Sequence, residues 1–236
     1  MSLQGKRIFI TGGSRGIGLA IALRAAQDGA LVAIAAKTSD PNPKLPGTIH
    51  TAADEIRAAG GTALPIQCDL RDESQISEAV ALAAKEFGGI DILINNAGAL
   101  FNPRQQTAEG FEKSFALLLL SPYILTERLQ PLLAKANGAR VVNVSSGGMY
   151  TQKIDVQDLQ NKQGNYDGST AYARAKRGIV ILTERWARQM RTKGVVVHSM
   201  HPGWVETKGV IQSLPAFYQR TRPILRTPAQ GADTIV

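Results

Sequence analysis

The chain has little from which to build a cross-linked or metal-bound scaffold. Cys68 is the single cysteine among 236 residues, and histidine occurs three times, at His50, His198 and His201. One cysteine excludes an internal disulfide framework; its setting in an apolar run reads as a small buried side chain. The histidines show no ligand spacing and no accompanying carboxylates, so no metal site is expected. Aromatic residues make up only 6%. No apolar run is long enough to span a bilayer: the most apolar, residues 115–124, is broken by Pro122 and followed by Glu127 and Arg128, and reads as a buried helix. No secretory signal precedes the first strand-like segment, so a cytoplasmic location without a membrane span is expected.

What is present fits one α/β domain over residues 1–236 with a sizeable core; 44% of the residues are hydrophobic. The net charge of +8 is uneven. Residues 1–134 carry 12 basic and 13 acidic side chains, whereas residues 135–236 carry 15 and 6. The basic residues are scattered without interleaved aromatics, which describes a solvated face attractive to anionic ligands rather than a nucleic-acid site.

Short, continuously apolar segments at 6–11, 31–36, 63–68, 90–95, 140–145 and 195–200 read as strands of a parallel sheet covered on both faces. Helical segments at 16–28, 48–59, 73–87, 107–134 and 170–192 alternate with them, giving a three-layer, doubly wound, mainly parallel fold. The Pro-rich piece at 40–46 reads as an ordered loop after the second strand.

Thr11-Gly-Gly-Ser-Arg-Gly-Ile-Gly18 joins the first strand to the first helix. Glycines at 12, 16 and 18 let the backbone approach a pyrophosphate, and the helix N-terminus supplies N–H donors. An acidic residue ending the second strand would pair with a ribose 2′-hydroxyl and repel a 2′-phosphate; here Lys37 stands there, with Arg15 in the glycine turn. Two cations favour NADP(H), although both also suit an ordinary surface. Further on, Tyr172 and Lys176 are four residues apart on a helix, which stacks phenol and ammonium on one face. A nearby cation favours the phenolate, so the lysine is expected to lower the tyrosine pKa.

The glycine turn, Asn95-Asn-Ala-Gly98, Ser145-Ser146, Tyr172-x-x-x-Lys176 and Pro202-Gly203 occur in the order found in short-chain dehydrogenases/reductases, which the chain resembles over essentially its whole length. The resemblance implies a Rossmann fold and NADP(H)-dependent interconversion of a carbonyl and an alcohol, the substrate being lipophilic. It implies that Tyr172 is the general acid/base, that Lys176 supports it and holds the nicotinamide ribose, and that Ser146 bonds the substrate oxygen. Cofactor contacts are implied for Gly12, Ser14, Arg15, Gly16, Ile17, Gly18 and Lys37. Asp69, Leu70, Asn95, Ala97, Gly98, Tyr172, Lys176, Pro202, Gly203 and Thr207 complete that set. A homodimer or homotetramer through the helices at 107–134 and 170–192 is also implied.

Three departures stand out. Ser146 and Tyr172 are separated by about twice the usual gap, and the insert at 147–168 resembles the retinol-dehydrogenase-like branch, where it forms a lip over the substrate site. Leu118 falls where the family has a relay asparagine, and leucine neither donates nor accepts a hydrogen bond, so the relay is expected to be impaired. The chain stops at Val236 in a helix-like segment from about Pro228, before the family's usual seventh strand. The halves also differ: residues 1–98 resemble hydroxysteroid dehydrogenase-like proteins and the remainder the retinol-dehydrogenase-related branch, which raises a recombined or engineered origin. Met149, Tyr150, Trp204, Phe217 and Tyr218 suit either packing or substrate contact. Two other functional readings compete with the enzyme: a non-catalytic NADP(H)-binding protein, and an interaction protein using the basic half.

Overall fold

A computed structural model describes residues 3–43 and 46–236; Lys44 and Leu45, within the loop expected at 40–46, lie outside the described residues. The described residues form six strands: β1 (Arg7–Thr11), β2 (Leu31–Ala36), β3 (Thr62–Gln67), β4 (Ile92–Asn95), β5 (Arg140–Val144) and β6 (Val196–Met200). They lie in the order β3-β2-β1-β4-β5-β6, every pairing parallel. The continuous apolar runs have their physical reason here. Phe9 and Leu93 face one layer of helices and Ile8, Ile10 and Ile34 the other, so both faces of the central strands are buried.

On one face lie α1 (Gly16–Gln27) and α2 (Ile49–Ala58). On the other are α3 (Glu73–Phe87), the short α4 (Lys113–Phe115), α5 (Ser121–Leu133) and α6 (Gly168–Met190), with Trp186 buried among them. The chain continues through α7 (Lys208–Ser213) and α8 (Pro215–Thr221) to α9 (Pro228–Ala232), which packs on α1. Strand order reverses between β1 and β4. Their carboxyl ends therefore frame a crevice, the place where open α/β sheets bind ligands.

The expected strand and helix limits hold to within one or two residues, with one larger correction. The segment at 107–134 is not helical throughout: residues 107–111 form a turn in which Thr107 N–H donates to the Phe111 carbonyl, and the helix starts at Lys113. Between α4 and α5 the chain widens into a π-turn, Ala116–Leu120, closed by the Ser121 N–H on the Ala116 carbonyl. Pro122 accounts for part of this widening. It has no N–H, so it cannot give the Leu118 carbonyl its usual helical partner.

A cavity of about 590 Å³ opens on the α1 face of the sheet, lined by residues such as Ile92, Val142, Met200 and Ile235. None of the candidate site residues lines it. Among the described residues, no helix is long and apolar enough to cross a membrane, and no group of histidine, cysteine and acidic side chains is arranged to hold a metal.

Candidate active site

The glycine turn is held against the end of β4. Thr11 Oγ1 accepts from the N–H groups of Asn96 and Ala97, each at 3.0 Å, while the Asn96 amide donates back to the Thr11 carbonyl at 3.0 Å. Gly12 has φ +69° and backs onto Ala97 so closely that a Cβ would lie 2.8 Å from the Ala97 Cα. At Gly18 a Cβ would lie 2.2 Å from the Gly12 carbonyl oxygen, so only glycine lets α1 start this near the turn. Ser14 and Gly18 are buried, whereas Gly12, Arg15, Gly16 and Ile17 remain half-buried at the crevice.

The N-terminus of α1 differs from its neighbours. Helices α2, α3, α6, α7 and α9 are capped by Thr48, Asp72, Asp167, Thr207 and Thr227 side chains. Helix α1 begins at Arg15 with no side-chain cap and no acid in its first turn. Its leading N–H groups and the positive end of its dipole are thus left for an anion. The Arg15 guanidinium donates to the Gly47 carbonyl at 2.7 Å and keeps a buried Nε without a partner among the described residues.

At the end of β2, Lys37 is 68% exposed and lies 3.6 Å from Asp69. Arg71 grips the same carboxylate with two bonds of 2.8 and 2.6 Å. The Arg71 hydrogen bond, outweighing burial, holds the Asp69 pKa down at about 2. The Asp69 side chain is thus already engaged, and the Leu70 carbonyl takes the Ser121 hydroxyl.

Asn95 is corrected. Expected at the cofactor crevice, it is only 4% exposed and points into the layer of α5 and α6. Its amide donates to Asn143 Oδ1 at 2.8 Å, and Asn143 in turn donates to Thr183 Oγ1 at 2.8 Å. Period-two alternation explains this: Asn96, one residue on, takes the crevice side.

Helix α6 brings Tyr172 and Lys176 to the carboxyl end of β5. Lys176 is 4% exposed and its Nζ donates to the Val144 carbonyl at 2.6 Å, the one hydrogen bond of that amine among the described residues. Its Nζ lies 5.8 Å from the Tyr172 ring centroid. Ser146 lies near enough to the Tyr172 phenol to lower its pKa, and its hydroxyl accepts the Gly148 N–H at 3.2 Å, capping the first turn of the insert. The expectation that Lys176 lowers the tyrosine pKa fails in this state. Burial raises the Tyr172 pKa, more than Ser146 lowers it, and burial brings Lys176 down to about 8. Removal of water from two close groups favours the neutral form of each.

Leu118 is buried beside this pair. A Cβ built on the exposed Gly98 would lie 3.6 Å from Leu118 Cδ2 and 3.9 Å from Lys176 Nζ. The loop after β6 closes the crevice from the far side: Pro202 is buried, Gly203 has φ +81°, and a Cβ on Gly16 would lie 3.7 Å from Thr207 Cγ2. Trp204 is 52% exposed and stands edge-on to Phe217, while Tyr218 bonds Glu206 at 2.6 Å. Met149 receives the Ser145 hydroxyl, and Tyr150 is 72% exposed.

The sequence profile described as short chain dehydrogenase matches residues 6–215. The chain belongs to the short chain dehydrogenase family. Among curated proteins it is similar to human dehydrogenase/reductase SDR family member 12, 40% identical over 237 residues, spanning 100% of this chain and 72% of that protein. Human hydroxysteroid dehydrogenase-like protein 2 is 51% identical over 145 residues, 61% of this chain and 35% of that protein. A solved short chain dehydrogenase from Burkholderia cenocepacia J2315, in complex with NADP, is 29% identical with a TM-score of 0.78, covering 100% of this chain and 90% of that one.

Proposed function

We propose that this short chain dehydrogenase is an NADP(H)-dependent oxidoreductase that interconverts a carbonyl and an alcohol on a lipophilic substrate, with Tyr172 as general acid/base. Residues 1–236 serve as one cofactor-binding unit, whose sheet draws strands from both halves of the chain. The observation that carries the reading is Lys176: a buried amine that spends one hydrogen bond on Val144, beside a half-buried tyrosine at the switch point of the sheet.

The residues present fit a dinucleotide phosphate. The uncapped start of α1 suits the pyrophosphate, Lys37 and Arg15 suit a 2′-phosphate, and the unspent N–H groups of Lys176 suit ribose hydroxyls. When bound, the nicotinamide would supply or accept the hydride. In reduction, Tyr172 gives its phenolic proton to the carbonyl oxygen, which becomes the alcohol oxygen, while Ser146 donates to the same atom. The protonated Lys176 then stabilises the phenolate, and the oxidative direction reverses each step. A homodimer or homotetramer through α5 and α6 is supported by the exposed Tyr123 and Ile181 on those helices.

Two measurements test the reading. Titration by nicotinamide fluorescence should give NADPH a Kd at least ~10-fold below that of NADH, and Lys37→Asp should abolish the difference. Equal affinities would refute the NADP preference. One observation favours the non-catalytic alternative: Leu118, 1% exposed, fills the place beside Lys176 with hydrocarbon. Leu118→Asn should therefore raise turnover several-fold while leaving NADPH affinity unchanged. No gain in an otherwise active protein would show that this position does not limit proton supply.

A further inference from the structure

Glu112 is 0% exposed and takes no part in the chemistry above. Its carboxyl group receives the backbone N–H groups of Ser114 at 2.7 Å and Phe115 at 2.8 Å, and the Tyr166 hydroxyl at 3.0 Å. Its own N–H donates to Gln160 Oε1 at 3.1 Å. The Tyr166 hydroxyl also lies 3.1 Å from the Phe101 carbonyl. Gly168, the first residue of α6, sits so near that carbonyl that a Cβ would come within 2.3 Å of the oxygen.

Three segments meet at this pair: the loop after β4, the start of the helix that carries Leu118, and the last limb of the insert. The insert is bounded by the proposed chemistry at both ends. Ser146 caps its first turn, and Asp167, which follows Tyr166, caps the helix that bears Tyr172. A carboxyl group is costly to bury unless hydrogen-bonded, and three donors converge on this one. Burial, with Glu112 adding to it, pushes the Tyr166 phenol up to about 12, so it stays a donor at any physiological pH.

We propose that Glu112 and Tyr166 are positioning residues that lock the insert into a fixed wall of the substrate site, between Ser146 and Tyr172. The proposal rests on the active-site reading above. Without the lock the insert stays attached at both ends but loses its fixed distance from Leu118, so substrate binding weakens before the chemistry does.

The test is hydrogen exchange and steady-state kinetics on the full chain, comparing wild type with Tyr166→Phe, Glu112→Gln and Glu112→Ala. Exchange in residues 155–171 should quicken about tenfold in Tyr166→Phe and more in Glu112→Ala, with Glu112→Gln between, while β1 and β4 keep their protection. KM for the carbonyl substrate should rise several-fold with kcat and NADPH Kd within twofold. Unchanged exchange at 155–171, exchange that quickens equally in β1 and β4, or a kcat that falls at constant KM would each overturn the lock. Should the wild type bind no NADPH, the active-site reading fails while the exchange pattern still decides the lock.

Discussion

Lys176 is an ammonium site from which water has been removed, and its folded-state pKa of about 8 sits below the ordinary value of 10.5. Between those two values the unfolded chain binds a proton that the folded chain has shed. This group's contribution to stability therefore rises with pH from about 8 upward, and its penalty is fully present below 8. Lys176→Met should raise the melting temperature of the cofactor-free protein at pH 7 by a few degrees and flatten the rise between pH 8 and 10. A variant that melts lower at pH 7, against a wild type with no such rise, would contradict the desolvation account. The position of Tyr172 and Lys176 was legible from their spacing, but the sign of the tyrosine shift was not. Spacing reports which groups are neighbours, whereas the loss of hydration depends on what else closes over them. Asn95 was misplaced for a related reason: the motif names the residue, and only strand register decides which face receives its side chain.

At the scale of the elements, the turn from β1 to α1 rests on close backbone approach. Gly18→Ala would put a methyl group 2.2 Å from the Gly12 carbonyl oxygen and 2.5 Å from the Asn96 amide nitrogen. The substitution should cost ~2 kcal/mol or more, lowering the melting temperature by about 4–8 °C, and should weaken NADPH binding. Calorimetry with and without NADPH separates the two effects; unchanged stability would mean that the turn relaxes freely. Continuous apolar runs revealed the strands, because a sheet buried on both faces leaves few polar positions in its central strands. The helix at 107–134 was over-extended, since residues 107–111 have helix-compatible composition yet are turned back by the Gln106–Glu112 bridge. The π-turn was also hidden: Pro122 signals an interruption, but not whether the helix ends, kinks or widens. The insert's contacts were the least legible, because Glu112 and Tyr166 are 54 residues apart and carry no motif.

Across the whole molecule, the parallel sheet and its reversal between β1 and β4 bring a phosphate-ready helix end, two cations and a tyrosine–lysine pair from three separate parts of the sequence to one crevice. Each feature alone has an ordinary structural explanation; their convergence argues for redox chemistry, and family membership supports it. The most direct test is NADPH consumption by the intact chain across a panel of steroid, retinoid, long-chain and aromatic carbonyls, with Tyr172→Phe measured in parallel. The expected result is turnover of at least one lipophilic carbonyl that falls ~10²–10⁴-fold in the variant while NADPH still binds. Turnover that survives the loss of the phenol, or none with any carbonyl despite tight NADPH binding, would contradict the assignment of Tyr172 as a working acid/base.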